Sequence, residues 1–497
     1  MPNNPTDDRE DHGLMPLKVL SVASEAVPLV KTGGLADVAG ALPAAVAPHD
    51  VAMTTLLPGY PSVGKVLGKG KLVHKWASLL GQPARLLSGT IGKHKLLVLD
   101  CPAYFAREGG PYGDANGQDW TDNWQRFAAF GRAAADIASG KVKGYSFDLV
   151  HAHDWQAAMT LAYLKLASDT PDLPAVMTIH NMAFQGHFDA KVFPRLGLPS
   201  SAWTMDGVEN YGGVGFLKAG MQMADIITTV SPSYAAEIRQ PEFGMGLEGL
   251  VAARGSRVRG ILNGIDPKVW NPAEDSEIAA RYSHRTLTRR KINKRAVEGA
   301  FGLEQSDGPL FTAISRLTWQ KGTDVLLEVL DHLVGMGGRL ALLGSGDKAI
   351  EAGLHEAAAR HPGRIGVHIG YDEGLSHRLQ AGADAILVPS RFEPCGLTQL
   401  YGLAYGCVPV VARTGGLADT VIDANPAALT AGVATGVQFD GVHYHALRAA
   451  IDRVMALYEQ PRKWRRVQQN GMKADFSWEA SGHAYAELYR ELTGRTA

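Results

Sequence analysis

Short apolar runs of strand type alternate along this chain with Ala- and Leu-rich stretches of helical spacing, and the whole pattern occurs twice. In the first half the strand-type runs are residues 18–22, 51–57, 95–100, 148–151, 175–179 and 225–230. In the second half they are residues 310–315, 339–343, 364–369, 384–389 and 408–412. Such alternation is typical of a parallel sheet with helices on both faces. We therefore predict an α/β protein with two doubly wound, Rossmann-like domains and an interdomain cleft.

The predicted boundaries follow from where this pattern starts, restarts and stops. Residues 1–16 are polar and acidic and lack the apolar core of a signal peptide, so we expect a disordered tail. The N-terminal domain is predicted over residues 17–260 and the C-terminal domain over residues 261–476. Residues 477–497 are predicted to form a final helix that packs back on the N-terminal domain.

Charge and cysteine content exclude several classes of protein. Lys and Arg number 49 and Asp and Glu number 50, so the net charge of −1 does not favour binding to nucleic acid or an anionic membrane. No run approaches the roughly 18 apolar residues of a membrane span. The three cysteines are too few for a disulfide framework and fit a reducing compartment. We expect a cytoplasmic protein with no nucleic-acid or membrane partner, and the sequence indicates no particular oligomeric state.

The hexapeptide TGGLAD occurs in each half, at residues 32–37 and 414–419. Paired glycines before a helix start allow backbone N–H groups to face a phosphate or a sugar. The alternative is a pair of ordinary strand-to-helix turns that need glycine for packing. Lys31 precedes the first copy and could pair with a diphosphate. Neither the Walker pattern nor the dinucleotide fingerprint is present, so neither a P-loop NTPase nor a dehydrogenase is favoured.

Residues 151–155 (HAHDW) lie at the end of a predicted strand, where ligands bind in open α/β sheets. His151 and His153 are two apart on a strand and therefore point to the same side, which makes a metal site geometrically feasible. No third His or Cys cluster accompanies them, so a metal site is the less favoured interpretation. The favoured one is a polar surface for sugar on which Trp155 stacks against a pyranose ring.

Residues 180–186 (HNMAFQG) follow the next predicted strand. The His180 imidazole and the Asn181 amide can hydrogen-bond sugar hydroxyls at the strand end. A capping Asn and a buried structural His are the alternative interpretation.

The second half carries the charged groups. Arg316 and Lys321 lie five residues apart across a strand-to-helix loop and form a cationic site suited to phosphate. Glu393 presents one carboxylate in a Gly- and Pro-containing loop, whereas Cys395 has no evident partner base and is not a favoured nucleophile. We predict a cleft for a nucleotide sugar whose leaving diphosphate is stabilised by Arg316, Lys321 and helix dipoles. No metal cofactor is expected, so the activity should be indifferent to chelators.

Taken together, these motifs resemble the glycogen and starch synthase family, whose members have the GT-B glycosyltransferase fold. The resemblance extends from about residue 18 to the C-terminal helix. The segments that carry it are residues 31–38 (KTGGLADV), 151–155 (HAHDW), 180–186 (HNMAFQG), 262–266 (LNGID), 315–322 (SRLTWQKG), 389–402 (PSRFEPCGLTQLYG) and 413–420 (RTGGLADT).

The resemblance implies transfer of glucose from ADP-glucose to the non-reducing end of an α-1,4-glucan, with retention at the anomeric carbon. UDP-glucose is the alternative donor. The implied partners are the nucleotide-sugar donor and a glycogen or other α-glucan acceptor. The implied catalytic residues are Glu393, Arg316, Lys321 and His180. The implied substrate-binding residues are Lys31, Gly33, Gly34, Asp37, Asp154, Asn181, Asn263, Tyr371, Cys395, Gly396, Leu397 and Thr398, with Tyr371 stacking on adenine.

One departure from the wider retaining superfamily bears on mechanism. That superfamily often shows Glu-x7-Glu, whereas Glu393 is followed at the second position by Tyr401. A covalent double displacement needs a nucleophile and an acid/base, and no evident pair is present. We therefore favour transfer on one face of the sugar. The alternatives are a retaining glucosyltransferase with a small acceptor, a sugar-nucleotide epimerase of the same fold, and a non-catalytic glucan-binding protein.

Overall fold

The structure, a computed structural model, describes residues 15–68, 70–167 and 170–495. Most of the tail predicted to be disordered, residues 1–14, lies outside the described residues. In the described ranges, no helix combines the length and the apolar character that a membrane crossing requires.

The described residues of the first half form twelve strands in two sheets. They are β1 (Leu17–Val22), β2 (Val51–Pro58), β3 (Lys71–Leu79), β4 (Gln82–Ile91), β5 (His94–Asp100), β6 (Leu149–His153), β7 (Ala175–Ile179), β8 (His187–Asp189), β9 (Glu209–Asn210), β10 (Gly213–Gly215), β11 (Ile226–Thr229) and β12 (Val258–Gly260). The large sheet has the order β12-β11-β7-β6-β1-β2-β5-β4-β3, and β8, β10 and β9 form a small antiparallel sheet. Strand β4 runs antiparallel to both of its neighbours, β3 and β5, and the other neighbouring pairs of the large sheet are parallel. Its parallel strands thus end on one side.

Helices cover both faces of the large sheet. They are α1 (Gly34–Val46), α2 (Pro61–Leu67), α3 (Pro102–Phe105), α4 (Asn123–Ala138), α5 (Asp154–Leu166), α6 (Phe216–Met223), α7 (Pro232–Glu237), α8 (Pro241–Gly244) and α9 (Glu248–Ala253). The central pair α4 and α5 is almost wholly buried, and α5 lacks a polar face, as expected for a helix enclosed on all sides.

The second half forms a six-stranded, all-parallel sheet. Its strands are β13 (Leu310–Leu317), β14 (Arg339–Gly346), β15 (Ile365–Ile369), β16 (Ala385–Val388), β17 (Val408–Ala412) and β18 (Val437–Phe439). The order is β15-β14-β13-β16-β17-β18. The covering helices are α10 (Arg290–Ala300), α11 (Thr323–Gly335), α12 (Lys348–Arg360), α13 (Glu373–Gly382), α14 (Thr398–Tyr405), α15 (Gly415–Thr420), α16 (Pro426–Ala431), α17 (Tyr444–Tyr458) and α18 (Pro461–Lys473).

The last helix, α19 (Trp478–Thr493), returns to the first half. Its buried Tyr485 and Tyr489 pack in one cluster with Leu42 and Val46 of α1. The chain therefore crosses between the halves twice. The two crossing segments are joined by an isolated parallel β-bridge between Ile265 and Ser477. This double crossing holds the two sheets on either side of a cleft.

The predicted fold class is confirmed, since both halves are parallel α/β layers. Every predicted strand is present. Strands β3 and β4 were not predicted. They form an edge hairpin with broken register, so their apolar residues do not alternate regularly. All three cysteines are free and buried.

Candidate active site

A cleft of about 900 Å³ lies between the two halves. It opens where the parallel strands of both sheets end, the position at which ligands bind in doubly wound folds. All sixteen residues implied as catalytic or substrate-binding line this one cleft, although they come from segments far apart in the chain. The roles of these residues remain predictions.

The wall formed by the first half begins with the loop after β1. Glu25 is 2% exposed, and its carboxylate accepts hydrogen bonds from the backbone N–H and the hydroxyl of Thr32. These bonds fix the turn that carries Gly33 and Gly34. A Cβ atom added at either glycine would have no contact with other parts of the protein within 4 Å. The glycine backbone is therefore open to the cleft.

Lys31 and Asp37 form an ion pair at the edge of the same turn. The Lys31 Nζ lies 2.8 Å from Asp37 Oδ1, and both side chains are partly exposed. Burial raises the pKa of the Asp37 carboxyl above its ordinary value, and the Lys31 ammonium opposes that shift. A bound anion would compete with Asp37 for Lys31.

Three buried imidazoles lie behind this wall. His153 is hydrogen-bonded to His180 at 3.1 Å and to Ser21 at 3.2 Å, while His151 is hydrogen-bonded to Thr178 at 2.6 Å. Burial lowers the pKa of His153 to about 3 and the pKa values of His151 and His180 well below their ordinary value. His180 therefore reaches the cleft as a neutral imidazole that can exchange hydrogen bonds with sugar hydroxyls.

Asp154 lies at the start of α5 in a left-handed conformation, with φ of 56°. Its Oδ1 accepts the backbone N–H of His180 at 2.7 Å. Burial raises the pKa of the Asp154 carboxyl to about 7, against the lowering effect of the backbone hydrogen bonds at His180 and Asn181. A strained, buried carboxyl at a cleft is typical of a functional position.

The wall formed by the second half presents the cations. Arg316 is exposed at the end of β13, and its guanidinium makes no ion pair within the described part of the chain. Lys321 contacts Oε2 of Glu393, and Ser390 donates to the same oxygen at 2.9 Å. Arg316, Lys321 and the Glu393 carboxylate are thus gathered at this wall.

A close approach of two loops brings Lys321 to Glu393. Gly322 has φ of 65°, and a Cβ atom there would collide with the carbonyl oxygen of Pro389. The backbone N–H of Arg391 donates to Gln320 O at 2.9 Å. Only glycine tolerates both this approach and this backbone conformation.

The loop that follows Glu393 leads into α14. Gly396 has φ of 73°, and the side chain of Gln399 donates to its carbonyl at 2.9 Å. The N-terminus of α14, at Thr398, faces the cleft and adds partial positive charge. Burial raises the pKa of the Cys395 thiol to about 12, so this cysteine is not a thiolate nucleophile at neutral pH.

Two aromatic residues line the cleft in different ways. Tyr371 is 76% exposed, and its hydroxyl donates to Glu373 at 2.8 Å, which leaves the ring faces accessible. Tyr401, at the position where the wider superfamily has its second Glu, instead stacks on Trp270 with ring centroids 3.6 Å apart. No carboxylate occupies that position.

Asn263 lies where the chain crosses between the halves. It is 5% exposed and lines the cleft, and its Oδ1 has no hydrogen-bond partner among the described residues. A buried acceptor without a partner favours a ligand donor at this point.

Two expectations need correction. Trp155 is 8% exposed and packs against Phe127, so it forms part of the floor of the cleft rather than a stacking surface. The second TGGLAD segment does not line the cleft, because it packs against the Glu393 loop and is bound by Glu237 of the first half.

The less favoured metal interpretation depended on the ring nitrogens of His151 and His153. These nitrogens are hydrogen-bonded to protein groups, and no metal-binding cluster occurs in the described ranges.

Sequence reasoning missed part of the first wall. The missed residues include Glu25, Tyr112, Asp119, Trp120, Asn123 and Gln156. Four of them come from residues 108–123, a segment rich in Gly, Asp and aromatic residues. That composition, within an otherwise apolar half, is the sequence feature that indicates a ligand-binding segment here.

Comparison with known proteins gives consistent results over the whole chain. The family model for the starch synthase catalytic domain matches residues 18–253, and that for glycosyl transferases group 1 matches residues 298–470. A protein named glycogen synthase from Novosphingobium aromaticivorans is 70% identical over 96% of this chain and 99% of its own length. Another of that name, from Rhizobium rhizogenes, is 55% identical over 97% of this chain and all of its own length.

A solved structure is similar along the same length. The catalytic domain of starch synthase IV from Arabidopsis thaliana, bound to ADP and acarbose, superposes with a TM-score of 0.85 at 30% identity. The match covers 97% of this chain and all of that chain.

Proposed function

The chain belongs to the glycogen synthase family of glycosyltransferases, and from this premise we propose that it transfers glucose from ADP-glucose to the non-reducing end of an α-1,4-glucan, with retention at the anomeric carbon. The relatives' names support a glycogen acceptor. The ADP and acarbose bound to the plant starch synthase support an adenine nucleotide and a glucan-like acceptor.

One observation carries the proposal: Arg316, Lys321 and Glu393 of the second half face the neutral imidazole of His180 and the open glycine turn of the first half across one cleft. Arg316 makes no ion pair in the described chain and is free to bind a diphosphate. Lys321 and the N-terminus of α14 add positive charge beside it. Charge that develops on the leaving diphosphate is thereby stabilised.

The remaining residues are assigned by what surrounds them. Tyr371 offers an accessible ring for the adenine base. His180 and Asn263 offer neutral hydrogen-bonding groups for the glucose hydroxyls. Lys31 and the open glycine turn lie on the opposite wall, where they close over the donor. The carboxyl of Asp154 is placed to accept a hydrogen bond from a sugar hydroxyl.

The reaction exchanges one C–O bond for another and transfers one proton. The bond between the anomeric carbon and the diphosphate oxygen breaks, and the bond between that carbon and the acceptor 4-hydroxyl oxygen forms on the same face. The proton of the acceptor hydroxyl passes to the leaving phosphate oxygen. Glu393, held by Lys321 and Ser390, stabilises the positive charge that develops on the sugar ring.

This chemistry uses protein cations and requires no metal cofactor, so we propose that the activity is independent of added divalent ions. We also propose a cytoplasmic location, because three buried free thiols fit a reducing compartment.

Donor competition tests the proposal. The full chain is incubated with glycogen and labelled ADP-glucose, with excess chelator and a tenfold excess of unlabelled UDP-glucose. We expect label in the polymer, little competition, and release of labelled maltose by β-amylase, which shows α-1,4 linkage at non-reducing ends. Fructose in place of glycogen serves as the acceptor control and should remain unlabelled. Consumption of the donor without any acceptor would instead indicate an epimerase.

A further inference from the structure

The two identical TGGLAD segments have opposite surroundings. At Gly33 and Gly34, in the first copy, a Cβ atom would meet open space. At Gly415 and Gly416, in the second copy, it would collide with the carbonyl oxygens of Glu393 and Cys395. The first glycine pair is open to the cleft, whereas the second is pressed against the loop that carries Glu393.

A glutamate accepts hydrogen bonds from the start of each copy, but the two glutamates come from different places. Glu25 binds the first copy from within the same half of the molecule. Glu237, at the end of α7 in the first half, binds the second copy across the domain interface. Its Oε1 accepts the backbone N–H of Gly415 at 2.8 Å and the hydroxyl of Thr414 at 3.1 Å.

Helix α7 makes two further contacts with the second half. Ser231, which is fully buried at the N-cap of α7, donates its hydroxyl to the carbonyl oxygen of Pro394 at 2.6 Å. Ser233 donates its backbone N–H and its hydroxyl to Asp419 at 2.8 and 2.7 Å. Every contact is made with the Glu393 loop or with the helix that supports it.

The second copy, which Glu237 binds, itself contacts the backbone of Glu393. The backbone N–H of Gly416 lies 3.1 Å from Glu393 O and 3.2 Å from Pro394 O. The carbonyls of the two successive residues Glu393 and Pro394 are thus held by the start of α15, which Glu237 holds in turn. Ser231 binds the second of these carbonyls directly.

We propose that Ser231 and Glu237 are positioning residues for Glu393, which couple closure of the two domains to the placement of that carboxylate. When the domains separate, both residues leave the loop, and Glu393 is held by its own half alone. The site is therefore fully assembled only in the closed state, as required of an enzyme that must keep water from an activated sugar. This inference rests on the proposed function, because it assigns a role within the same reaction.

The variants Glu237→Ala and Ser231→Ala test the proposal. Each should lower kcat at least tenfold, while the Kd for ADP and the KM for the donor change less than threefold, because no nucleotide contact is removed. Glu237→Gln keeps an oxygen that accepts from Gly415 and should retain kcat within threefold. Ser231→Thr keeps the hydroxyl and serves as the conservative variant at the second position.

A matched control removes a helix cap elsewhere in the second half. Asn425 caps α16 by accepting the N–H of Ala428 at 2.9 Å and does not line the cleft. Asn425→Ala should lower the Tm while kcat stays unchanged. Hydrogen exchange of a peptide spanning residues 389–400 should accelerate in Glu237→Ala and Ser231→Ala but not in this control.

The proposal would be overturned if kcat fell in proportion to Tm in all three variants, Glu237→Ala, Ser231→Ala and the control Asn425→Ala. Unchanged exchange of residues 389–400 would also overturn it. If Glu237→Ala fails to fold, the comparison of kcat and of hydrogen exchange between Ser231→Ala and Ser231→Thr is sufficient to test the proposal. The exchange measurement needs no donor, and kcat ratios are taken with whichever nucleotide sugar the unmodified chain uses. Failure of the ADP-glucose assignment is therefore distinguishable from failure of the positioning role.

Discussion

The ammonium group of Lys321 contacts Oε2 of Glu393, although 72 residues separate them in the chain. Ser390 donates to the same carboxylate oxygen, and the side chains of Lys321 and Glu393 are 16% and 10% exposed. A charge pair so far removed from water is costly to break by removing one partner. Arg316, in contrast, is exposed and makes no ion pair among the described residues.

Lys321→Ala and Arg316→Ala should therefore differ in stability but agree in catalysis. Each removes stabilisation of the leaving diphosphate and should raise the barrier by about 2–4 kcal/mol, which corresponds to a kcat about 30- to 1,000-fold lower. Only Lys321→Ala should also lower the Tm, because it leaves Glu393 without its cation. Steady-state kinetics and calorimetry measure both effects. An equally large loss of glucan binding in either variant would contradict a phosphate role.

Glu393→Gln preserves the shape of the side chain and removes its charge. We expect a marked fall in kcat with little change in the Kd for ADP, because the positive charge on the sugar ring loses its stabilisation. Mass spectrometry of the unmodified protein during turnover should show no glycosyl adduct. Near-normal activity of the variant would rule out the electrostatic role, and a trapped adduct on Glu393 would rule out transfer on one face.

Cys395→Ser should retain most of the activity. Burial raises the pKa of the thiol to about 12, so the sulfur is protonated at neutral pH and is not expected to act as a nucleophile. The unmodified protein should likewise resist alkylation by iodoacetamide until it unfolds. Complete inactivation of the variant, with its Tm preserved, would contradict this interpretation and reopen a role for the thiol.

Asp154→Asn should change how stability depends on pH. The carboxyl has an ordinary pKa of 3.8 and a pKa of about 7 in the folded protein, chiefly because of burial. Between these values the folded state holds a proton that the unfolded state releases, so stability falls as the pH rises toward 7. The asparagine does not titrate. The Tm of the variant minus that of the unmodified protein should therefore increase from pH 5 to pH 8, as followed by scanning fluorimetry. A difference that stays constant over this range would contradict the raised pKa.

Tyr371→Ala should raise the KM for the donor several-fold, whereas Tyr371→Phe should not. The exposed ring supplies the surface for the adenine base, and its hydroxyl only contacts Glu373. Because both variants lose the contact with Glu373, the phenylalanine variant is the matched control. An equal rise in KM for the two variants would assign the effect to the hydroxyl rather than to the ring.

Local patterns were sufficient to predict the fold class and part of the cleft. Apolar strands and helical spacing are set by neighbours in the chain, and parallel strands end at a common edge. Polar residues at the ends of β6, β7, β13 and β16 were therefore expected in the cleft, and they line it. Asn263 and Tyr371 line it as well, but only the family resemblance implied them.

Long-range packing decided what the local pattern left open. Trp155 follows a strand end as predicted, yet its ring packs against Phe127 in the core. His151 is hydrogen-bonded to Tyr489, 338 residues away, on a helix that returns from the other half. Neither contact has a signature within a short window of sequence.

The repeated hexapeptide separates the two contributions most clearly. The sequence alone determined that TGGLAD makes a glycine turn at the start of a helix, because glycine conformation and helix initiation depend on adjacent residues. Only the tertiary structure decided that one copy faces the cleft and the other is covered by α7. The reason is physical: the exposure of a backbone N–H group depends on which distant element is packed against it, and identical neighbours in the chain cannot specify different distant ones.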